Sequence, residues 1–309
     1  MRLFGLGMMF MVLQFSGAVL LIVGGAVATA SEQKAKAPTI FTYRSAESDL
    51  DARYDYDLSL LTLALDKTVK QYGPYTLEPS GGMNFARAIH LVETNQKPNF
   101  FIKLSYEKQF SSNLVHTSIP IDLGIVGYRV CFISPQADKR LSSKPSLAEL
   151  KRLLHGQGKG WADVKILESN GFQVFENSSY EGLFLMVANN RVDLFCRGVN
   201  ELYDEFHAHK SIPGLQYDKR FVLYYPLPRF FYTHRDNIEA LERISLGLSL
   251  AFEDGSLQKL WRSAYQTSIE FSQLSQRELI PLENPTLEAL EPGYEDYFYQ
   301  IDSTHFQMK

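Results

Sequence analysis

The chain has 309 residues, 45% hydrophobic and 21% charged, an ordinary globular composition with enough length for two hydrophobic cores. Its formal net charge of −4 leaves no basic footprint, so a DNA or RNA partner is not expected. Arg2 is followed by an uncharged apolar run that ends in small residues before the polar Ser31-Glu32-Gln33-Lys34. Ala28-Thr29-Ala30 has the pattern of a signal-peptidase site, which predicts a signal peptide over residues 1–30 and a periplasmic mature chain. The run is also long enough for the alternative of an uncleaved membrane anchor. It contains no cysteine, which excludes a lipid-modified N-terminus.

After a polar linker, Thr39-Ile40-Phe41-Thr42-Tyr43-Arg44 reads as a strand. An acidic loop leads to an apolar stretch over residues 58–69 that suits a helix packed on a sheet. Residues 75–79 form a second strand and Ser80-Gly81-Gly82 a turn. A helix over 84–94, with Phe85, Ala88, Ile89 and Val92 at helical spacing, precedes a third strand over 99–104. This β-α-β-α-β order predicts an open parallel sheet.

Residues 119–134 read as a loop, punctuated by Pro120, Gly124 and Gly127, feeding a strand rich in β-branched and aromatic residues. This stretch is the expected first crossing between two lobes. A helix over 146–153 with Ser146 as its cap and a short strand come next. Residues 156–161 make a glycine-rich loop, and a helix over 162–170 is stopped by Gly171. A strand over 172–175, a helix over 181–190, a strand over 192–196 and a helix over 200–210 complete the second lobe. Residues 221–233 are extended, aromatic and interrupted by Pro226 and Pro228, which marks an edge or a bend and the expected return crossing. A helix over 237–253 carries an apolar stripe, stops and restarts at Asp254-Gly255-Ser256, and leads to a helix over 257–265 that packs on the first lobe. The predicted first lobe is thus 37–123 plus 230–266, the second is 124–229, and 267–309, with Pro281, Pro285 and Pro292, is an irregular C-terminal wrap.

Cys131 and Cys196, the only cysteines, both fall in predicted strands of the second lobe. Export permits a disulfide between them; two small buried hydrophobic residues are the alternative.

Two α/β lobes joined by two crossings behind a signal peptide resemble the type II periplasmic solute-binding proteins, in a divergent branch of the family 3 proteins that serve amino-acid transporters. Asn190-Arg191-Val192-Asp193, Asp254-Gly255-Ser256-Leu257 and Lys97-Pro98-Asn99 look like that family's turns, in the right order over residues 39–265. The resemblance implies a two-lobed α/β fold of the periplasmic binding protein type II class with a hinge. The chain departs from the family after the third strand, where transporter members carry a Thr-Pro-x-Arg segment that grips a ligand carboxylate and Ser105-Tyr106-Glu107-Lys108 stands instead.

In such a fold the ligand meets loops at the carboxyl ends of strands and helix N-termini. In the second lobe these are Gln157, Lys159 and Trp161 of the glycine-rich loop, where Lys159 supplies charge and Trp161 a face for stacking. Arg197 and Glu201 follow the next strand, as a fork for a carboxylate and an acceptor; an ion pair fixing the corner is the alternative. In the first lobe the candidates are Tyr43 and Arg44 after the first strand, Ser80 and Gly81 after the second, and Tyr106 after the third. Arg129, in the crossing, is expected to be structural. His207 and His209 lie two apart on a predicted helix and face different sides, so no metal site is expected. No cofactor and no catalytic residue are expected, since no nucleophile stands beside a base.

These readings predict an exported, monomeric solute-binding protein that closes on a small polar ligand, anionic or amino-acid-like, for a membrane transporter or sensor. An enzyme on the same fold, with Glu107 or Glu201 as acid or base, and a protein-interaction module with a degenerate cleft are the alternatives.

Overall fold

Alternating strands and helices build two separate sheets in this structure, a computed structural model that describes residues 37–299 except 49, 50 and 52. The expected signal segment lies outside the described residues. In chain order the first elements are β1 (Thr39–Tyr43), α1 (Asp55–Tyr72), β2 (Tyr75–Pro79), α2 (Phe85–Glu93), β3 (Phe100–Ser105) and β4 (Leu114–His116). The middle of the chain gives β5 (Tyr128–Ile133), α3 (Pro135–Arg140), α4 (Leu147–Leu150), β6 (Leu154–Gly158), α5 (Ala162–Ser169), β7 (Gln173–Asn177), α6 (Tyr180–Ala188), β8 (Leu194–Gly198), α7 (Leu202–His209) and β9 (Phe221–Tyr224). The remainder gives β10 (Arg229–His234), α8 (Ile238–Glu253), α9 (Ser256–Ser272) and β11 (Glu278–Pro281).

The first sheet has the order β2-β1-β3-β10-β4, in which β1, β2 and β3 run parallel and β10 lies antiparallel to both its neighbours. The second has the order β11-β9-β5-β8-β6-β7, with β5 antiparallel to both β8 and β9. The chain passes from the first sheet to the second between β4 and β5 and returns between β9 and β10, so the two-lobed α/β architecture with two crossings is present. A third passage was not legible in the sequence. β11, inside the stretch expected to be irregular, adds a parallel edge strand to the second sheet beside β9.

Local chemistry explains these elements. On α1, Leu60, Leu61, Ala64, Leu65 and Thr68 are buried at helical spacing and face α8. α8 comes so close there that a side chain at Gly247 would overlap the Ala64 carbonyl. Ser146 and Glu149 form a reciprocal capping box at the start of α4. α9 bridges the lobes: Ser268 donates to the Val199 carbonyl at 2.6 Å and accepts from the Tyr203 N–H at 2.9 Å, while Trp261 donates to the Asp122 carbonyl at 2.9 Å.

β5 and β8 form the centre of the second sheet, in a register that places Cys131 opposite Cys196, and the two are disulfide-bonded. The same register sets Arg129 opposite Gly198 and Val130 opposite Arg197. Side chains alternate across a strand, so Arg129 and Arg197 leave opposite faces of this pair at the end that meets the first lobe.

Candidate ligand-binding site

Between the two sheets lies a cleft of about 80 Å³. Six basic side chains line it: Arg44, Arg53, Lys103, Arg129, Arg197 and Arg229, against the acids Glu107, Asp163 and Glu201. Arg44 follows β1, Lys103 belongs to β3 and Arg229 opens β10, so the first sheet contributes its strand ends; β5 and β8 contribute Arg129 and Arg197. Tyr54, Phe85 and Trp161 supply aromatic faces, with the Arg44 guanidinium 4.5 Å from the Tyr54 ring and Arg197 4.7 Å from Trp161.

Each cation is tied down by a carboxylate. Arg44 pairs with Glu47 at 2.8 Å, Arg53 with Asp51 at 2.6 Å, Lys103 with Asp57 at 2.7 Å and Arg129 with Asp163 at 2.6 Å. Arg197, only 3% exposed, directs Nε at both Glu205 oxygens at 2.9 Å and Nη2 at Glu201 at 2.8 Å. Arg229 pairs with Asp122 and reaches Glu201 at 3.5 Å. Burial pushes the Glu201 carboxyl up, but Arg197, Arg229 and Arg129 outweigh it and hold the group well below the usual carboxylate range. For Glu205 burial wins despite Arg197, and its carboxyl is raised.

After these pairings, some guanidinium N–H groups are left over. Arg44 Nε, Arg129 Nε and Arg229 Nη2 are buried with no hydrogen-bond partner among the described residues. Such donors are rare in folded proteins and cost about 1–3 kcal/mol each when unmet.

Contacts across the cleft hold it shut. Lys165 on α5 pairs with Glu107 beyond β3, Ser48 donates to Glu181 on α6 at 2.9 Å, and the Arg53 guanidinium lies 3.8 Å from the Tyr180 ring.

Of the ten residues expected to bind ligand, Arg44, Trp161, Arg197 and Glu201 line this cleft and the other six do not; Glu107, named as an acid or base for the enzyme alternative, lines it too. Gly156-Gln157-Gly158, expected in a loop, belongs to β6, which turns the Gln157 side chain into the core of the second lobe; there its amide is unpartnered among the described residues. Lys159 is exposed. The glycines nevertheless matter, because a side chain at Gly158 would overlap the Trp161 ring, which folds back over the strand end. Tyr43 is partly buried against the core, and Ser80 is spent on a local turn, accepting from the Ser45 N–H at 3.1 Å. Gly81, at φ 81°, supplies the left-handed backbone of that turn. Tyr106 is buried the other way, its hydroxyl on the Ala289 carbonyl at 2.8 Å, while Ser105 and Glu107 on either side of it face the cleft.

The sequence reading missed Arg53, Lys103, Asp163 and Arg229; Arg129, expected to be structural, is paired with Asp163 and also lines the cleft. Lys103 carried a usable signal, a single charge inside the apolar run Phe100-Phe101-Ile102-Lys103-Leu104.

No family model matches the chain, and no curated protein matches it in sequence. Solved structures do resemble it. An ancestral arginine-binding protein bound to arginine superposes with a TM-score of 0.54 at 16% identity, over 74% of this chain and 98% of that one. An arginine transport-system periplasmic binding protein from Legionella pneumophila gives 0.54 at 13% identity, over 73% and 99%. A histidine kinase sensor domain with similarity to periplasmic binding proteins gives 0.52 at 11% identity, over 74% and 95%. The chain therefore has the two-lobed α/β fold of the periplasmic binding proteins, with a cation-lined cleft at the junction of its sheets.

Proposed function

We propose that this protein is an exported, monomeric solute-binding protein that closes about its two crossings on a small anionic ligand and passes it to a membrane transporter or a sensor. The observation that carries the proposal is the cleft itself: basic side chains from both sheets converge there, and three of them keep buried N–H groups unpartnered among the described residues. A ligand that accepts those hydrogen bonds stabilises the closed arrangement over the open one, which is how a two-lobed protein couples binding to a change of shape. Neighbours of the same fold that include transport-system binding proteins and a kinase sensor domain support either delivery or sensing. Export rests on the N-terminal sequence, with cleavage after Ala30.

Binding is favoured over catalysis by the state of the two acids that would serve an enzyme. Glu201 is held as a carboxylate, well below the usual range, by Arg197 and Arg229, and is therefore not poised to exchange a proton near neutral pH, while Glu107 is engaged in an ion pair with Lys165. Thermal-shift screening against metabolites tests the proposal. A ligand at a hundred times its Kd stabilises the fold by about 2.7 kcal/mol, so saturable stabilisation without turnover is expected. Consumption of the ligand supports the enzyme alternative, and a flat screen supports the interaction module.

A further inference from the structure

The polar atoms left over on the cleft wall also carry information about ligand class. Taking the solute-binding proposal above as its premise, we infer that the solute is a compact oxyanion without an amino group, a short dicarboxylate or an inorganic tetrahedral anion.

The buried, unpartnered polar atoms on residues lining the cleft are all donors: Arg44 Nε, Arg129 Nε and Arg229 Nη2. They belong to residues of both sheets and of the return crossing that meet at the cleft, and the three nitrogens are closed to a water-sized sphere in this arrangement, so one acceptor-rich ligand at the junction reaches them by shifting the cleft wall. Arg44 and Arg129 are 5% and 2% exposed, hence shielded from water as alternative partners. Charge-assisted bonds from guanidinium to an oxyanion are the strongest available match for such groups.

An ammonium, in contrast, has no comparable place. Asp163 already receives Arg129 Nη2 and the Tyr225 hydroxyl, both at 2.6 Å. Glu201 receives Arg197 and Arg229, and Glu107 receives Lys165. Asn200 Oδ1, an unpartnered acceptor beside Glu201, is turned into the corner after β8, where a side chain at Gly198 would overlap it. An amine entering the cleft would have to compete with guanidinium groups for every carboxylate and would lie among six cations.

Size narrows the class further. The cavity of about 80 Å³ has room for roughly six water-sized groups, taking about 10–15 Å³ for each. Sulfate, phosphate, oxalate, malonate and succinate are of that order. A free arginine or glutamine is larger, and pockets that enclose ligands of drug size are commonly about 300–1,000 Å³.

Isothermal titration calorimetry on the purified protein tests this with matched pairs: succinate against aspartate, glutarate against glutamate, with oxalate, malonate, adipate, sulfate, phosphate, arginine and glutamine alongside. The expected result is saturable binding of at least one compact amine-free anion, with the amine-bearing partner of a pair at least about tenfold weaker and adipate silent. Which arm responds, carboxylate or tetrahedral anion, names the source within the class. Arg44→Gln removes a cleft donor whose one ion pair among the described residues is with Glu47, which also has Arg53 at 3.3 Å; it is expected to raise Kd by about tenfold or more with the melting temperature retained. If aspartate, glutamate, arginine or glutamine binds as tightly as the amine-free anions, the inference falls while the solute-binding proposal stands. If no compound in either set gives heat or a thermal shift, both fall.

Discussion

Replacing Arg197 with alanine strikes the most heavily paired cation of the cleft. Its guanidinium holds two buried carboxylates at once, Glu205 through two Nε contacts of 2.9 Å and Glu201 through Nη2 at 2.8 Å, and it covers the Trp161 ring at 4.7 Å. Glu201 keeps Arg229 at 3.5 Å, whereas Glu205 keeps the Tyr180 hydroxyl at 2.8 Å as its hydrogen-bonding partner but loses its cation. Breaking a buried pair by removing one partner costs about 3–5 kcal/mol, because an uncompensated charge remains in the interior. At about 2–4 °C per kcal/mol for a chain of this size, the melting temperature should fall by roughly 10 °C. Thermal and urea unfolding followed by circular dichroism, on the wild type, Arg197→Ala, Glu205→Gln and the double variant, measure the cost. The double variant should be less destabilised than the sum of the singles, since Glu205→Gln removes the stranded charge. A drop below about 1 kcal/mol for Arg197→Ala would refute the reasoning and favour the ligand-gripping one of the two alternatives that the sequence left open.

Three further outcomes follow from particular contacts. His155 is buried and its ring is pushed down to about 4 by burial, from an ordinary value of 6.5. Between those values the unfolded chain holds a proton that the folded chain does not, so stability should fall as pH drops through that window, by about 1.4 kcal/mol per unit from this group, and be unaffected above it. His155→Leu should flatten that slope in denaturant titrations at pH 7, 6 and 5. The Cys131–Cys196 disulfide closes a segment of 65 residues, so Cys131→Ala with Cys196→Ala should cost about 4 kcal/mol in unfolding free energy, read at equal urea. Lys165→Ala removes the half-exposed cation of a pair across the cleft, leaving the buried Glu107 its hydrogen bond from Gln109, and the screened loss, under about 1 kcal/mol, should raise Kd less than about fivefold, with the difference fading in high salt.

Where periodicity and turn chemistry act locally, the sequence was enough. The β-branched run of β5, the Ser146 cap of α4 and the stripe of Leu241, Ile244, Leu248 and Ala251 on α8 are each decided within a few residues. Elements decided by distant partners were not legible. Gly156 to Gly158 looks like a loop alone, yet it pairs with β7, and its two glycines admit Trp161, Leu183 and Val192. β11 is four residues ending in Pro281, and only its pairing with β9 makes it a strand. The site divides in the same way. Arg197 and Glu201 lie four apart at a strand-helix corner, so their pairing was visible as one of two alternatives. Lys103 is separated from Asp57 by 46 positions and Arg229 from Asp122 by 107, and only the folded chain brings them together around the cleft.

Intrinsic fluorescence tests the central claim, that a small anion binds between the two sheets, most directly. The chain has two tryptophans: Trp261 is fully buried on α9, and Trp161 lines the cleft beneath Arg197. Titration with the anion that responds in calorimetry is expected to give a saturable change in emission with the calorimetric Kd, and Trp161→Phe should abolish that change while leaving the Trp261 emission in place. A signal that survives Trp161→Phe, or its absence with every small anion, would contradict the account.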